Sequence, residues 1–356
     1  MGLLKGSVTF SRFSVTSEEG GMQAESFDRQ IKEFAFRDFF PVEAEKNLGW
    51  TCIEDVLDTG FAYARYAIGD YRLFVLRIDR RLVPAALMKI RCLEETRRFL
   101  AENKIKKLYR DQREAICESV RQELLGSAQP VPSFFEVCWS GSGSVLFTNL
   151  TPKIIQEFLD LFRQSFGLVL QPHQPWDPAT LESGQINPLF LGREFLTWLW
   201  FKTEERDGMV SVPGFGDVEL RFIRRLVLES GEGEYTESVV CQGQHADLKE
   251  GKEAVRQGKK IKEARISLSR DAAKWEFTFK ADTFQFQSLK LPVPTDLEAD
   301  EEEDKSGRIL ERLYLIETAI KTVDDLFAQF LALRLADAWP GEVERMTKWA
   351  EARTNG

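Results

Sequence analysis

The sequence lacks the features that would identify several common classes of protein. No apolar run reaches the about 18 residues that a membrane-spanning helix requires. The opening residues MGLLKGSVTF bring charge and strand-like alternation too early for a secretory signal, so a cytoplasmic protein is expected. The five cysteines are odd in number and widely spaced, which excludes a disulfide framework and a paired CxxC zinc site and favours a reducing compartment.

Catalytic and cofactor motifs are also scarce. The phosphate-binding pattern GxxxxGK[ST] is missing, and Gly231-Glu-Gly233 lacks the third glycine of a dinucleotide-binding loop and lies among acidic residues. Only two histidines are present, and Cys241 with His245 would supply two metal ligands, which do not by themselves make a site. The sequence therefore predicts no catalytic residue, no metal site and no cofactor.

What the sequence does contain is positive charge gathered in two segments. The chain as a whole has a net charge of −9. The segment from Arg80 to Arg113 nevertheless holds eleven Lys or Arg and four acidic residues, and the segment from Lys252 to Arg265 holds six and two. Such segregation produces a local positive field that the net charge does not report. The alternative interpretation is a solvated helix face whose cations are paired with nearby acids.

The first basic segment is predicted to be helical. Pro84 suits the first turn of a helix, because its missing N–H has no partner there anyway, and neither Pro nor Gly follows until Gly126. An interruption near Asn103 or Tyr109 would divide this stretch into a protruding two-helix arm, and the residues GSAQPVP at 126–132 are predicted to form its tip. A narrow apolar stripe with many cations is more typical of a projecting arm than of a core helix.

Hydrophobic periodicity predicts an α+β fold, an elongated subunit of several parts with antiparallel sheets. Helices are predicted at 23–34, 152–166, 191–201, 246–256 and 309–335. Strands are predicted at 7–15, 61–66, 71–78, 134–139, 145–148, 167–170, 218–227, 238–241, 261–268 and 275–279. The predicted parts are an N-terminal α+β part at 1–83, the basic helical arm and tip at 84–132, a continuation of the N-terminal part at 133–172, a second α+β part at 173–296, an acidic linker at 297–308 and a C-terminal helical extension at 309–356.

Short landmarks follow one another in a particular order along the chain. They include Val8-Thr-Phe-Ser-Arg-Phe13, Leu48-Gly-Trp50, Arg81-Leu-Val-Pro84, Val137-Cys-Trp139 and Glu194-Phe-Leu-Thr-Trp198. With this order and spacing, the chain resembles the recombination-associated protein RdgC family over about its first 290 residues. The resemblance implies a homodimeric ring with a positively charged central hole. Such a ring binds duplex DNA with little sequence preference and restrains RecA-promoted recombination.

The resemblance also implies positions for the interface with DNA. Related chains place basic residues at the positions of Arg81, Lys89, Lys106, Lys107, Arg110, Arg113 and Lys259. The two basic segments add further predicted DNA contacts at Arg97, Arg98, Lys104 and Lys260. Relatives carry an arginine and an aromatic residue where the arm closes the ring. Neither occurs at 126–132, so dimer closure is predicted at Gln129, Pro130 and Val131.

The leading hypothesis is a non-catalytic, sequence-independent DNA-binding protein that is cytoplasmic and associated with the nucleoid. Two other functions remain open. A metal-dependent exonuclease needs converging carboxylates, usually with a lysine, and Asp247-Leu-Lys249 and Glu250-Gly-Lys252 have the acid-x-Lys spacing. A protein-interaction scaffold would instead use the basic arm to bind an acidic partner.

Overall fold

The computed structural model describes residues 2–16, 24–39, 44–178, 181, 186–230, 237–243, 249–292 and 305–352. The α-helices in these ranges are α1 Ala24–Glu33, α2 Ala85–Glu102, α3 Arg110–Ser127, α4 Pro152–Phe166, α5 Pro188–Glu205, α6 Lys249–Arg256, α7 Lys305–Leu335 and α8 Trp339–Glu351. The strands are β1 Val8–Thr16, β2 Lys46–Cys52, β3 Ala67–Ile68, β4 Tyr71–Arg81, β5 Pro130–Ser140, β6 Ser144–Phe147, β7 Val169–Pro172, β8 Met209–Val212, β9 Gly216–Glu229, β10 Ser238–Gln242, β11 Lys260–Arg270, β12 Ala273–Lys280 and β13 Gln285–Lys290.

These thirteen strands form one antiparallel sheet. Its main path runs β10-β9-β11-β12-β13-β1-β6-β5-β4-β2, with β3 on β4, β7 on β1 and β8 on β9. The central strand is β1, in which Val8 and Phe10 pair with β13, whereas Ser11–Ser14 pair with β6 and Phe13–Thr16 pair with β7. β1 therefore joins the strands of the N-terminal part to those of the second part. The predicted α+β class with antiparallel strands is confirmed.

One face of the N-terminal strands packs against α1 and α4. The apolar side chains of α4 recur at helical spacing, and its Phe158 stacks on Phe147 of β6 with ring centroids 4.1 Å apart. Pro152 occupies the first turn of α4, and Gly167 ends the helix in the left-handed conformation with φ 67°. The predicted helix at 152–166 is therefore confirmed, and the aromatic residues on it belong to the core.

The opposite face of the same strands is covered by α7. Leu73 and Val75 of β4 belong to a core that includes Ile316 of α7, and this core continues under α5 and the strands of the second part. The buried guanidinium of Arg12 in β1 donates to Asp324 of α7 at 2.9 Å. The long helix therefore packs within its own chain, across both halves of the sheet. It begins inside the predicted acidic linker, whose residues 297–304 lie outside the described residues.

Some predicted elements differ from the structure. The prediction of a strand at 61–66 is wrong. Phe61, Tyr63 and Ala64 have φ values of 49°, 59° and 49°, whereas a β-strand requires negative φ values. The alternation there reflects burial of Phe61 and Tyr66 in the core rather than pairing with a neighbouring strand. Periodicity also does not predict β2, β8 and β13, since these short strands are defined by the strands beside them.

Candidate nucleic-acid interface

A helical hairpin, made of α2, α3 and the residues between them, is inserted between the neighbouring strands β4 and β5. The last residue of β4, Arg81, is paired with the first residue of β5, Pro130. The chain therefore leaves the sheet and returns to it at one place. Because each helix has 18 residues, the hairpin is about 27 Å long at 1.5 Å per residue.

The predicted interruption between the two helices is confirmed. The side-chain amide of Asn103 donates to the last turn of α2 at 2.9 Å, and Lys104 has a left-handed φ of 54° that reverses the chain. The backbone N–H of Tyr109 donates to the side chain of Gln112 at 3.1 Å, as in a capping box at the start of α3. We call residues 103–109 the distal turn, because they lie at the end of the hairpin opposite the sheet.

The residues that were predicted to form the tip lie at the base of the hairpin. Gln129 directly precedes β5, and Pro130 and Val131 are already paired with Arg81 and Arg80 of β4. The prediction that this segment is the tip is therefore wrong. Its glycine and prolines end α3 and return the chain from helix to strand, which is the other position where such residues are favoured.

The distal turn carries the residue types that the predicted tip lacked. Lys104, Lys106 and Lys107 lie within it with no acidic residue between them. Tyr109 at its end is 79% exposed. Tyr109 was not among the predicted site residues, although Gln112 three residues later gives a capping-box signal for a helix start.

Most cations near the distal turn are not neutralised. Residues 97–113 hold seven Lys or Arg and two acidic residues. Arg98 pairs with Glu95 at 2.5 Å, and Arg110 pairs with Glu114 at 2.8 Å. The other five cations are exposed and form no ion pair with a residue that the structure describes: Arg97, Lys104, Lys106, Lys107 and Arg113.

The isolation of the hairpin explains why these cations are free. α2 has no buried residue, and α3 buries only Val120 and Leu125. Among the described elements, the two helices pack on each other and neither packs extensively on another helix or strand. Carboxylates of the sheet therefore do not reach the distal turn, and its three lysines remain exposed to solvent.

Cations nearer the sheet are arranged differently. Arg80 forms an ion pair with the buried Glu157 of α4, which also pairs with Lys46 at 3.1 Å. Arg81 is half-buried at the end of β4 and is engaged within the chain. Lys89 on α2 is exposed and has no ion pair among the described residues. Two predicted DNA contacts lie near the base of the hairpin. Of these, Lys89 has no ion pair among the described residues, whereas Arg81 is engaged within the chain.

Every cation of the second basic segment has an acidic partner. The pairs are Lys252–Glu204 at 2.5 Å, Arg256–Glu253 at 2.7 Å, Lys259–Glu237 at 3.1 Å, Lys260–Glu194 at 2.5 Å, Lys262–Glu229 at 2.9 Å and Arg265–Glu276 at 3.6 Å. The predicted DNA contacts Lys259 and Lys260 are therefore already neutralised, and the Lys259 side chain is only 7% exposed. We leave both residues out of the candidate interface. They are paired because β11 and the residues around it lie among elements that present carboxylates to them.

Glu194 binds one cation of this segment, Lys260, and a second cation from another helix. Glu194 of α5 accepts hydrogen bonds from Lys260 at 2.5 Å and from Arg334 of α7 at 3.0 Å. Burial by itself would raise the pKa of Glu194, but the two cations together bring that pKa below its ordinary value. These cations therefore stabilise the fold and are not available to a polyanion.

The residues considered for metal-dependent cleavage do not converge in the described part of the chain. No group of three or more His, Cys, Asp or Glu side chains is placed there to hold a metal ion. Glu250 lies in the first turn of α6, and Lys252 is held by Glu204. Four residues of the motifs considered in the sequence lie outside the described residues. They are Gly231 and Gly233 of the glycine pair, His245 and Asp247. None of the described helices combines the length and the apolar composition that crossing a bilayer requires.

Comparison with models of known protein families gives no match to the chain, and comparison with curated proteins gives none either. The resemblance to the RdgC family therefore stays a prediction. The charges, exposure and position of the helical hairpin are the observations that bear on function.

Proposed function

We propose that the protein binds duplex DNA, without sequence preference, through the distal end of the helical hairpin. The observation that carries this proposal is the group of five exposed cations at 97–113 without an acidic partner among the described residues. A polyanion gains more from free cations than from cations whose carboxylate partners it would have to displace. The distal turn offers free cations, and the second basic segment does not.

The proposed binding is driven by release of counterions. Each phosphate that a lysine or arginine neutralises releases condensed cations, so affinity falls with salt with a slope of about −0.9 per phosphate. Lysine ammonium groups are point charges on flexible stems, which suit phosphates rather than the edges of particular bases. Five phosphate contacts, three from lysines and two from arginines, predict a slope of log K against log salt of about −4 to −5 for each hairpin.

The experiment that tests this proposal is a titration of a labelled duplex with the full-length protein at several salt concentrations. Two duplexes of unrelated sequence should bind with similar affinity and with the predicted slope. A flat salt response, or no binding at low salt, would contradict the proposal. Adding magnesium or manganese to an end-labelled duplex should leave it intact, whereas digestion would favour the alternative exonuclease.

We propose further that two copies associate through the base of the hairpin and enclose the duplex as a ring. An exposed apolar stripe on α2 supports this, since Leu87, Ile90 and Leu93 are 41%, 55% and 50% exposed. It leads to a depression of about 220 Å³ at the hairpin base, which Leu82 and the predicted closure residue Gln129 line. A two-fold contact would bury the same patch on both copies.

Sedimentation of the full-length protein tests the proposed homodimer. The variant L87E/I90E should sediment as a monomer, because it places carboxylates in the apolar stripe. The matched control V343E changes an apolar side chain of α8 that is 43% exposed, and it should remain a dimer. A monomeric wild-type protein, or a variant that stays dimeric, would refute this part of the proposal.

The same proposal extends to recombination and to location in the cell. A protein that encloses duplex DNA would obstruct RecA-promoted strand exchange and would be found on the nucleoid. The support is the free charge of the distal turn together with the resemblance, and no direct contact with RecA is required. A strand-exchange reaction that proceeds unchanged at saturating protein would contradict it.

A further inference from the structure

The two helices of the hairpin each carry one cysteine, and the two thiols are neighbours. Cys92 lies on α2 and Cys117 on α3, the two helices pack on each other, and the Cys117 sulfur is close enough to raise the pKa of Cys92. Both residues are partly exposed, so small reagents can reach them. They lie on a helix pair whose main packing contacts, among the described elements, are between the two helices themselves. The spacing of the two sulfurs is therefore free to adjust.

The other three cysteines are in a different environment. Cys52, Cys138 and Cys241 are buried. Burial also raises the pKa of the Cys138 and Cys241 thiols, which lowers the fraction of thiolate, the reactive form. Reagents in solution therefore meet the hairpin pair and not the cysteines of the core.

We propose that Cys92 and Cys117 form a reversible intramolecular disulfide that joins α2 to α3. The chemistry is exchange with a low-molecular-weight disulfide of the glutathione class. The Cys117 thiolate attacks one sulfur of this disulfide, which forms a mixed disulfide and releases one small thiol. Cys92 then loses its proton to solvent and attacks the Cys117 sulfur, which releases the second small thiol. Two protein thiols are thus oxidised while one small disulfide is reduced.

The order of the two steps follows from the environment of the pair. Partial burial and the nearby Cys117 sulfur raise the pKa of Cys92 to about 11, so Cys92 keeps its proton while Cys117 reacts. Once Cys117 is in a mixed disulfide, its charge no longer opposes ionisation of Cys92. The neighbouring position of Cys92 then makes the second step intramolecular and fast.

The disulfide would restrain the part of the hairpin that carries the free cations. It closes a loop around residues 93–116, which include the distal turn, and such closure removes freedom mainly from the opened state. The hairpin buries few side chains, so in the reduced protein it can open without unfolding the sheet. Amide exchange within 97–113 is expected to slow by roughly 10-fold on oxidation.

The test uses the full-length protein, oxidised glutathione and N-ethylmaleimide to block remaining thiols. Trypsin digestion without reductant should release the peptides 92–97 and 114–121 as one linked species, two hydrogens lighter than their sum. Dithiothreitol should separate them. The variants C92S and C117S should lose the linked species, and the control C241S should keep it.

Three results would overturn the proposal. The first is that no thiol of the hairpin reacts. The second is that glutathione remains attached to Cys92 or Cys117 in the wild-type protein, which would mean that the second step does not occur. The third is a linked species found only in dimers on a non-reducing gel, which would place the bond between chains. The C92S and C117S variants are compared by circular dichroism, so that loss of the link is not mistaken for loss of fold.

Discussion

The two basic segments have similar compositions but very different surroundings in the fold. In the helical hairpin, five cations near the distal turn have no acidic partner among the described residues. In the segment from Lys252 to Arg265, all six cations have one. A strand inside a sheet has neighbours on both sides that can supply carboxylates, whereas the end of an isolated hairpin has none. A count of charges along a sequence therefore does not tell which charges can bind a partner.

The largest expected effect comes from reversing charge in the distal turn. The variant K104E/K106E/K107E should lose roughly 100-fold or more in affinity for duplex DNA, and its salt slope should fall by about 3. Its melting temperature should stay close to that of the wild type, because none of the three side chains forms an ion pair within the described chain. Anisotropy titrations and thermal unfolding measure the two quantities.

A matched control separates the site from the general effect of charge. The control variant reverses three exposed cations on α1 and α4 that also lack an ion pair among the described residues: Arg29, Lys153 and Arg163. It has the same net charge as the distal-turn variant, and it should bind DNA within about threefold of the wild type. Equal losses in both variants would mean that the distal turn is not a particular binding site.

The second effect concerns stability in the paired segment. Removing the Glu194 carboxylate in E194A leaves Lys260 and Arg334 partly buried without a carboxylate partner, and it should lower the free energy of unfolding by about 2–3 kcal/mol. The control E344A removes an exposed partner of Lys348 and should leave the unfolding midpoint unchanged. Urea denaturation measures both. An E194A protein as stable as the wild type would show that the pairing contributes little.

A third effect is a pH dependence centred on the sheet rather than the hairpin. Burial, together with the charge of Arg12, lowers the pKa of His173 to about 4, although Asp324 nearby acts in the opposite direction. Since the unfolded chain takes up this proton near pH 6.5 and the folded chain only near 4, stability is lost as pH falls through that window. The full shift corresponds to about 3 kcal/mol, and because the His173 ring is partly exposed, solvent screening should reduce the loss to about 2 kcal/mol. The variant H173Q should have a flatter stability profile between these pH values, and an unchanged profile would refute the assignment.

The smallest effect tests the exclusion of the second segment from the interface. The variant K260Q removes a cation that Glu194 already neutralises. Its affinity for duplex DNA should therefore differ from that of the wild type by less than about twofold, with an unchanged salt slope. If the slope of log K against log salt became shallower by about 1, Lys260 would have to be counted among the DNA contacts.

Much of the fold can be predicted from local patterns. The helix at 152–166 has its apolar spacing and end signals within its own residues, and the hairpin helices follow from the long stretch after Pro84 without a helix breaker. The predicted division near Asn103 or Tyr109 also matches the distal turn. The position of 126–132 could not be predicted in the same way, because it depends on the pairing of β5 with β4.

The candidate site was predictable only in part. The free cations of the distal turn are neighbours in sequence, so their number and density are visible there. The partners of Lys259 and Lys260 are Glu237 and Glu194, which the fold brings together from other elements. Spacing along the chain contains no information about such partners. For this reason DNA contacts were predicted in both basic segments, and the sequence could not show which of these cations are neutralised in the fold.

Lysine footprinting with and without duplex DNA tests directly whether the distal turn is the site that binds DNA. An acylating reagent labels exposed lysines, and mass spectrometry reports the rate at each position. Binding through the distal turn predicts that DNA slows labelling of Lys104, Lys106 and Lys107 strongly, while Lys153 on α4 and Lys260 on β11 are labelled at unchanged rates. Protection of Lys260 with continued labelling of the distal turn would contradict it.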